Sequence, residues 1–167
     1  MTKSELELSE SIIGQSIDEI YMRHVSMLYR VCCAYMKSHA DAEDVVSDVF
    51  VKLIRRRKSF QSAEHEKAWL LRTAINLCKD NLKHWWRSRE DIDDHRDLEC
   101  EGPLREDETL KEVLRLPERY KAAIYLYYYE GYSTEEISKI LRKPHSTVRY
   151  HLHMGRKLLK EILENEE

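Results

Sequence analysis

Apolar side chains recur along this chain at steps of three and four, and nowhere do they alternate with polar ones over a sustained run. That pattern predicts helices and no sheet. Three helices are predicted over the first half, at 17–37, 42–57 and 64 to about 87. The middle one has a stripe of Val46, Val49, Phe50 and Leu53, with Asp41 placed to cap it. Asp44, Ser47, Asp48, Val51 and Arg55 fall on its opposite side. In the second half a short helix at 110–114 precedes one that opens at Pro117 and is ended by Gly131 after Glu130. Ser133 and Glu136 then have the spacing of a capping box, and Ile137, Ile140 and Leu141 follow on one face, so a helix starts at Thr134. Arg142-Lys143-Pro144 interrupts it, because proline disfavours helical geometry in the residue before it. Beyond that turn Val148, Leu152, Gly155, Leu159 and Ile162 share one face of a second helix. Glycine inside a helix costs about 1 kcal/mol relative to alanine, and close helix packing is the reason the pattern offers for Gly155.

Only four glycines and three prolines occur in 167 residues, which agrees with an all-α protein. Charge divides it further. The net charge of -3 conceals blocks: residues 52–89 carry eleven Lys and Arg against three Asp and Glu, 90–112 reverse this with eleven acidic residues against three basic, and 142–160 hold six Lys and Arg with no acid. Residues 88–109 are acidic, include Gly102 and Pro103 and have few apolar side chains, so they read as a flexible linker. The expected organisation is an N-terminal extension at 1–16, a helical domain at 17–87, the linker at 88–109, and a second helical domain at 110–167. Two separated basic blocks suggest two contacts with a polyanion.

Several classes are disfavoured. No apolar run is long enough to span a membrane, and the first residues lack the layout of a signal peptide, so a cytoplasmic protein without membrane insertion is expected. Cys32, Cys33, Cys78 and Cys100 show no Cys-x-x-Cys spacing, which points to packed, reduced thiols and no metal site. With no phosphate-binding glycine loop, metal-ligand cluster or nucleophile-base arrangement, neither a catalytic residue nor a cofactor is expected.

The last helix is the best candidate for chemistry. Arg149, His153, Arg156, Lys157 and Lys160 share its polar face with Tyr150 alongside. Arg, Tyr and His near the start of a recognition helix can hydrogen-bond base edges in a major groove, while later Arg and Lys meet phosphates. A surface helix with a solvated basic face is the plainer alternative, and the capped helix and Pro turn ahead of it favour DNA binding. On the third helix Trp69, Arg72, Asn76, Lys79 and Lys83 fall at steps of three and four, followed by Trp85-Trp86-Arg87. A basic strip with an amide and indoles suits single-stranded DNA, where bases stack on aromatic faces. Trp69 is as readily a core residue. The acidic face of the second helix is either a docking surface or ordinary solvated surface, and the tyrosines Tyr125, Tyr127, Tyr128, Tyr129 and Tyr132 are most simply core.

Taken in order, these residues resemble a family. Tyr21-Met22-Arg23-His24, Leu28-Tyr29-Arg30 and Asp41-Ala42-Glu43-Asp44-Val45-Val46 resemble the start of region 2 of the bacterial RNA polymerase sigma-70 family, in its extracytoplasmic-function (ECF) group. Trp69-Leu70, Ala74-Ile75-Asn76, Asp80 and Lys83 resemble its later part. Leu116-Pro117-Glu118-Arg119-Tyr120, Glu130-Gly131-Tyr132-Ser133, Glu136-Ile137 and Thr147-Val148 with Arg156 resemble region 4. Each motif is weak alone, but their order is specific and spans nearly the whole chain.

The resemblance implies a factor that binds core RNA polymerase at the beta-prime clamp helices and the beta flap, and directs it to promoter DNA. Asp44, Ser47, Asp48 and Val51 would dock on the clamp helices. Trp69, Arg72, Asn76, Lys79 and Lys83 would hold the opened strand of the minus-ten element, with Asn76 reading a flipped-out base, whose extrusion costs a few kcal/mol. Ser146, Thr147, Arg149, Tyr150 and His153 would read the minus-35 duplex, with Arg156 and Lys157 on its phosphates. The linker would pass toward the RNA exit channel. Many relatives are held by an anti-sigma protein, a partner the resemblance leaves open here. Ser47-Asp48 stands where Gln-Glu is common, and Met154-Gly155 where Arg-Ala is expected, which removes a phosphate contact. Tyr150 stands where a small residue is frequent. A stand-alone helix-turn-helix regulator of duplex DNA is the alternative, although it would have no need of the basic, aromatic third helix.

Overall fold

The computed structural model describes residues 3–36, 38–56, 59–88 and 108–166, without the side chains of 3–16 and 85–88. Seven helices and no strand lie among the described residues. Residues 89–107 of the expected linker, Cys100, and the side chains of Trp85 and Trp86 lie outside them. Helices α1 (Lys3–Tyr35), α2 (His39–Arg55) and α3 (Ala63–Ser88) form one compact unit; α4 (Glu108–Arg115), α5 (Glu118–Tyr128), α6 (Thr134–Leu141) and α7 (His145–Asn165) form a second.

Helix α1 begins at Lys3 where the pattern alone predicts a start at Ile17. No proline stands between them, and the Glu and Leu residues of that stretch are good helix formers, so only Gly14 weighs against continuing. Asp41 likewise lies inside the first turn of α2 instead of capping it, since that helix opens at His39. There the carboxylate still faces the positive end of the helix dipole.

In the first unit α1 packs along α3. Leu28, Val31 and Cys32 on α1, Val45 and Val49 on α2, and Leu70, Leu71, Ala74 and Cys78 on α3 have no accessible surface. Each fully buried Leu or Ile in such a face contributes about 1.5 to 3 kcal/mol. Helix α2 meets α1 through Tyr21 and Phe50, whose rings lie 4.9 Å apart. Polar ties set the register of α3. Ser62 Oγ accepts from His65 N at 3.1 Å, which caps the helix start. One turn on, the buried Glu66 carboxylate accepts from Arg23 Nη2 at 2.9 Å and bonds His24 Nε2 at 2.8 Å. A carboxylate so far from water needs such partners, because leaving it unpaired costs more than the pair gains. A hydrogen bond with the Cys78 thiol, followed by burial, pushes Cys32 far above the ordinary thiol range. It stays protonated and is a poor nucleophile.

The second unit is built around α7. Pro117 starts α5 at φ -50°, and the chain leaves α5 through Gly131 at φ 72°, a left-handed value that glycine adopts without penalty. Both halves of the capping box are formed: Ser133 Oγ accepts from Glu136 N at 3.2 Å, and Glu136 Oε2 accepts from Ser133 N at 2.7 Å. Helix α6 ends on Arg142 at φ 52°, ψ 47°, where a non-glycine residue pays about 1 to 2 kcal/mol. The turn is held against that cost by Lys143 N donating to Ser138 O at 3.1 Å and Ser138 Oγ donating to Lys143 O at 2.6 Å. Across the turn Thr134 Oγ1 and His145 Nε2 are 2.6 Å apart.

Val148, Leu152 and Gly155 are buried on α7, and Leu159 and Ile162 are half-buried. Gly155 has a plain cause. A Cβ there would stand 2.6 Å from Ile124 Cγ1 and 2.9 Å from its Cδ1, and Ile124 is itself fully buried on α5. The branched side chain has nowhere to go in a close-packed interior. Gly155→Ala is therefore expected to lower the unfolding free energy by about 1 to 3 kcal/mol, although alanine is the better helix former. Urea titration of the full chain followed by circular dichroism reads this directly; an unchanged midpoint would mean that α5 and α7 can separate without cost.

Candidate nucleic-acid interface

Helix α7 stands on an apolar face, so its polar face is left to solvent. Ser146, Arg149, Tyr150, His153, Arg156 and Lys157 are all exposed, while Thr147 is half-buried in the first turn. Tyr150 leaves more than half its surface open. Pro144 precedes the helix without a side-chain cap, and its first turn has no acidic residue. Its N–H groups and the positive end of its dipole are thus available to an anion. One residue that the pattern does not single out is His151, which is buried and meets the Tyr120 ring edge to face at 5.5 Å.

The tyrosines of α5 and of the turn after it do not form a common core. Tyr120 and Tyr125 are buried, but Tyr128 is exposed and Tyr127, Tyr129 and Tyr132 are half-buried. Tyr128 Oη accepts from Arg156 Nε at 2.6 Å. The core reading of these residues holds for Tyr125 and fails for Tyr128, which lies at the end of α5 with its hydroxyl on the exposed Arg156 of α7.

On α3 the row at steps of three and four forms the side away from the core. Asn76 and Lys83 are exposed, and Trp69, Arg72 and Lys79 are half-buried. Trp69 is neither wholly core nor free. Its ring lies 5.7 Å from Phe60, and Arg56 places its guanidinium carbon 5.2 Å from the Trp69 ring and 4.4 Å from the Phe60 ring. His65 meets Phe60 edge to face at 5.5 Å. A cation over two aromatic faces contributes about 0.5 to 1 kcal/mol per ring at such exposure and fixes their planes. Phe60 and Arg56 go unnoticed in the sequence, although an aromatic residue following the basic run Arg55–Lys58 was a visible signal.

Asp44, Ser47, Asp48 and Val51 form the exposed side of α2. Beside them runs an apolar groove between α1 and α2, about 610 Å³ in volume, lined by Tyr21, Val25, Tyr29, Phe50, Val51 and Ile54 among others. Ile54 is 56% exposed, and Met22 on α1 is 77% exposed. In the second unit another groove, of about 450 Å³, lies between α4, α5 and α7 and is lined by Val113, Ile124, Tyr129, Leu159 and Leu163, with Arg156, Lys160 and Glu164. Among the described residues no three His, Cys, Asp or Glu side chains converge as a metal site would need. No helix among them is long and apolar enough to cross a membrane.

Comparison with known proteins matches the sigma-70 region 2 model to residues 20–96 and the sigma-70 region 4 model to residues 107–159. The ECF RNA polymerase sigma factor SigE of Mycolicibacterium smegmatis is 31% identical over 159 residues, taking in 89% of this chain. The chain spans 62% of that protein's length. The ECF RNA polymerase sigma-E factor of Haemophilus influenzae is 32% identical over 145 residues, covering 76% of this chain and 77% of that one. In fold, the sigma factor RpoE from Bartonella quintana, solved in complex with the anti-sigma factor NepR, superimposes with a TM-score of 0.71 at 20% identity over 92% of this chain and 99% of that one.

Proposed function

The chain belongs to the sigma-70 family of RNA polymerase sigma factors, in its ECF group, and from that premise we propose how its surfaces divide the work of promoter recognition. It binds core RNA polymerase, directs it to promoter DNA and supports initiation, acting in the cytoplasm where that enzyme works and adding no active site of its own. The observation that carries the reading is the pairing, in one chain, of a basic, aromatic α3 face suited to single strands with a basic α7 face suited to duplex. A stand-alone duplex binder has use only for the second.

On this reading Asp44, Ser47, Asp48 and Val51 meet the beta-prime clamp helices, with the neighbouring Tyr21, Met22 and Ile54 adding apolar area. Carboxylates at the rim give on-rate and register, and the apolar side chains give most of the affinity. Val113, Leu159 and Leu163 in the α4, α5 and α7 groove meet the beta flap, while Tyr128 and Arg156, which also line it, serve the DNA side. Asn76 reads an extruded base of the minus-ten element, the Arg56, Phe60 and Trp69 cluster supplies a wall for it, and Arg72, Lys79 and Lys83 hold the phosphates on either side. Ser146, Thr147, Arg149, Tyr150 and His153 read the minus-35 element, with Arg156 and Lys157 on its backbone. An anti-sigma protein is a further partner, as NepR is for the Bartonella factor.

The test of the whole reading is transcription of a promoter library by core polymerase with and without the purified chain. Transcripts that appear only with the chain support it; a tight duplex complex formed without core, and no transcription, would overturn it. Asn76→Ala is expected to impair open-complex formation, read by permanganate footprinting, while leaving affinity for core unchanged. Equal loss of core affinity would mark Asn76 as structural. Arg149→Ala is expected to cost about 1 to 3 kcal/mol of discrimination at one minus-35 base, measured by competition among promoter variants. A variant with the parental sequence preference would remove Arg149 from base readout.

A further inference from the structure

Arg156 stands two turns beyond Arg149 on the basic face of α7, ahead of Lys157 and Lys160. Its guanidinium does not move freely there. The Nε donates to Tyr128 Oη at 2.6 Å, and the guanidinium carbon lies 5.4 Å from the Tyr127 ring and 5.6 Å from the Tyr128 ring. Those two rings meet edge to face at 4.9 Å, so they brace one another as well as the arginine. Among the described residues Tyr128 is its hydrogen-bond partner, and no carboxylate forms an ion pair with it. This is an unusual arrangement for an exposed arginine. A carboxylate would neutralise the charge, whereas a phenol oxygen and two aromatic faces orient it and leave it whole.

The donor geometry says what the orientation is for. Of the five guanidinium N–H groups the Nε one is occupied by Tyr128, which leaves both Nη nitrogens, the pair that can bind a phosphate bidentately. An arginine already held in place gives up less rotamer freedom when it engages an anion. Tyr128 is 55% exposed, so core packing is not its main work.

We propose that Tyr128 is a positioning residue, whose hydroxyl holds Arg156 so that its two Nη nitrogens are presented to a phosphate of the duplex bound by α7. The proposal rests on the reading that α7 contacts duplex DNA. It adds a residue from α5, outside the helix-turn-helix, to the backbone contacts, and supplies order midway along α7, two residues beyond Met154, where the family resemblance leaves one phosphate contact fewer.

The experiment titrates the full chain with a short mixed-sequence duplex at several salt concentrations, since a phosphate contact is independent of sequence. Arg156→Ala should weaken binding and flatten the dependence of log K on log salt by about 0.9. Tyr128→Phe, which keeps the ring, should weaken binding by about threefold to tenfold. In the Arg156→Ala background Tyr128→Phe should add nothing, because the residue acts through the arginine. A Tyr128→Phe variant that binds as tightly as the parent, or a penalty that persists in full without Arg156, overturns the proposal. Lys157→Ala, which removes another contact placed on the DNA backbone, tells this failure apart from a larger one. If it weakens the complex while Tyr128→Phe does not, positioning alone has failed; if it too has no effect, the duplex reading of α7 has failed with it.

Discussion

The close approach of α7 to α5 at Gly155 is the constraint from which the geometry of the second unit follows. With no Cβ at that position the α7 backbone lies directly against Ile124, and any larger residue would meet a branched, fully buried side chain within 3 Å. Glycine weakens the helix it sits in, so the contact must return more than the roughly 1 kcal/mol of propensity that is lost. It does so by letting Val148 and Leu152 seat on the same face. Once that face is committed, the opposite side of α7 has a fixed outlook. Arg149, His153 and Arg156 are exposed because their helical neighbours are buried.

The same logic runs through the first unit with different chemistry. There, among the described residues, the inward faces of α1 and α3 are apolar nearly throughout, and the buried charged exception is Glu66, held by Arg23 and His24 at the start of α3. Because a buried carboxylate tolerates few arrangements, it pins the sliding of α3 along α1 in a way that apolar contacts, which are non-directional, do not. The row from Trp69 to Lys83 is then presented as a surface. At its start the Arg56 cation spans Phe60 and Trp69, a clasp that holds an aromatic wall beside the strip of basic side chains. Burial of one stripe per helix has sorted the charges: acid on α2, base on α3 and α7.

Much of this was legible from local rules. The capping box at Ser133 and Glu136, the turn at Pro144 and the inward stripe of α7 each follow from interactions within a few residues, and each stands in the structure where the pattern puts it. Gly155 was readable as a packing signal, though not its partner. Less legible were features made by residues far apart in sequence. Tyr128 sits in a run of tyrosines that all look alike, and only the end of α5 beside α7 separates it from the buried Tyr125. His151 occupies a buried position that its polar side chain conceals. The start of α1 was misjudged for another reason: helix propensity has no lower limit to announce when nothing interrupts it.

The sequence by itself determined that this protein is helical, which face of α7 turns inward, where α6 begins and where the turn before α7 falls. Those are properties of spacings of three and four residues and of side chains that bond their own backbone, so they are settled before distant segments meet. Tertiary structure decided which exposed side chains are held and which are free. Tyr128 and Arg156 stand 28 positions apart, and His24 and Glu66 stand 42 apart, yet the bonds between these partners are short and directional. Nothing local selects such a partner, because a hydrogen bond depends on a few tenths of an ångström that only the packed interior can set.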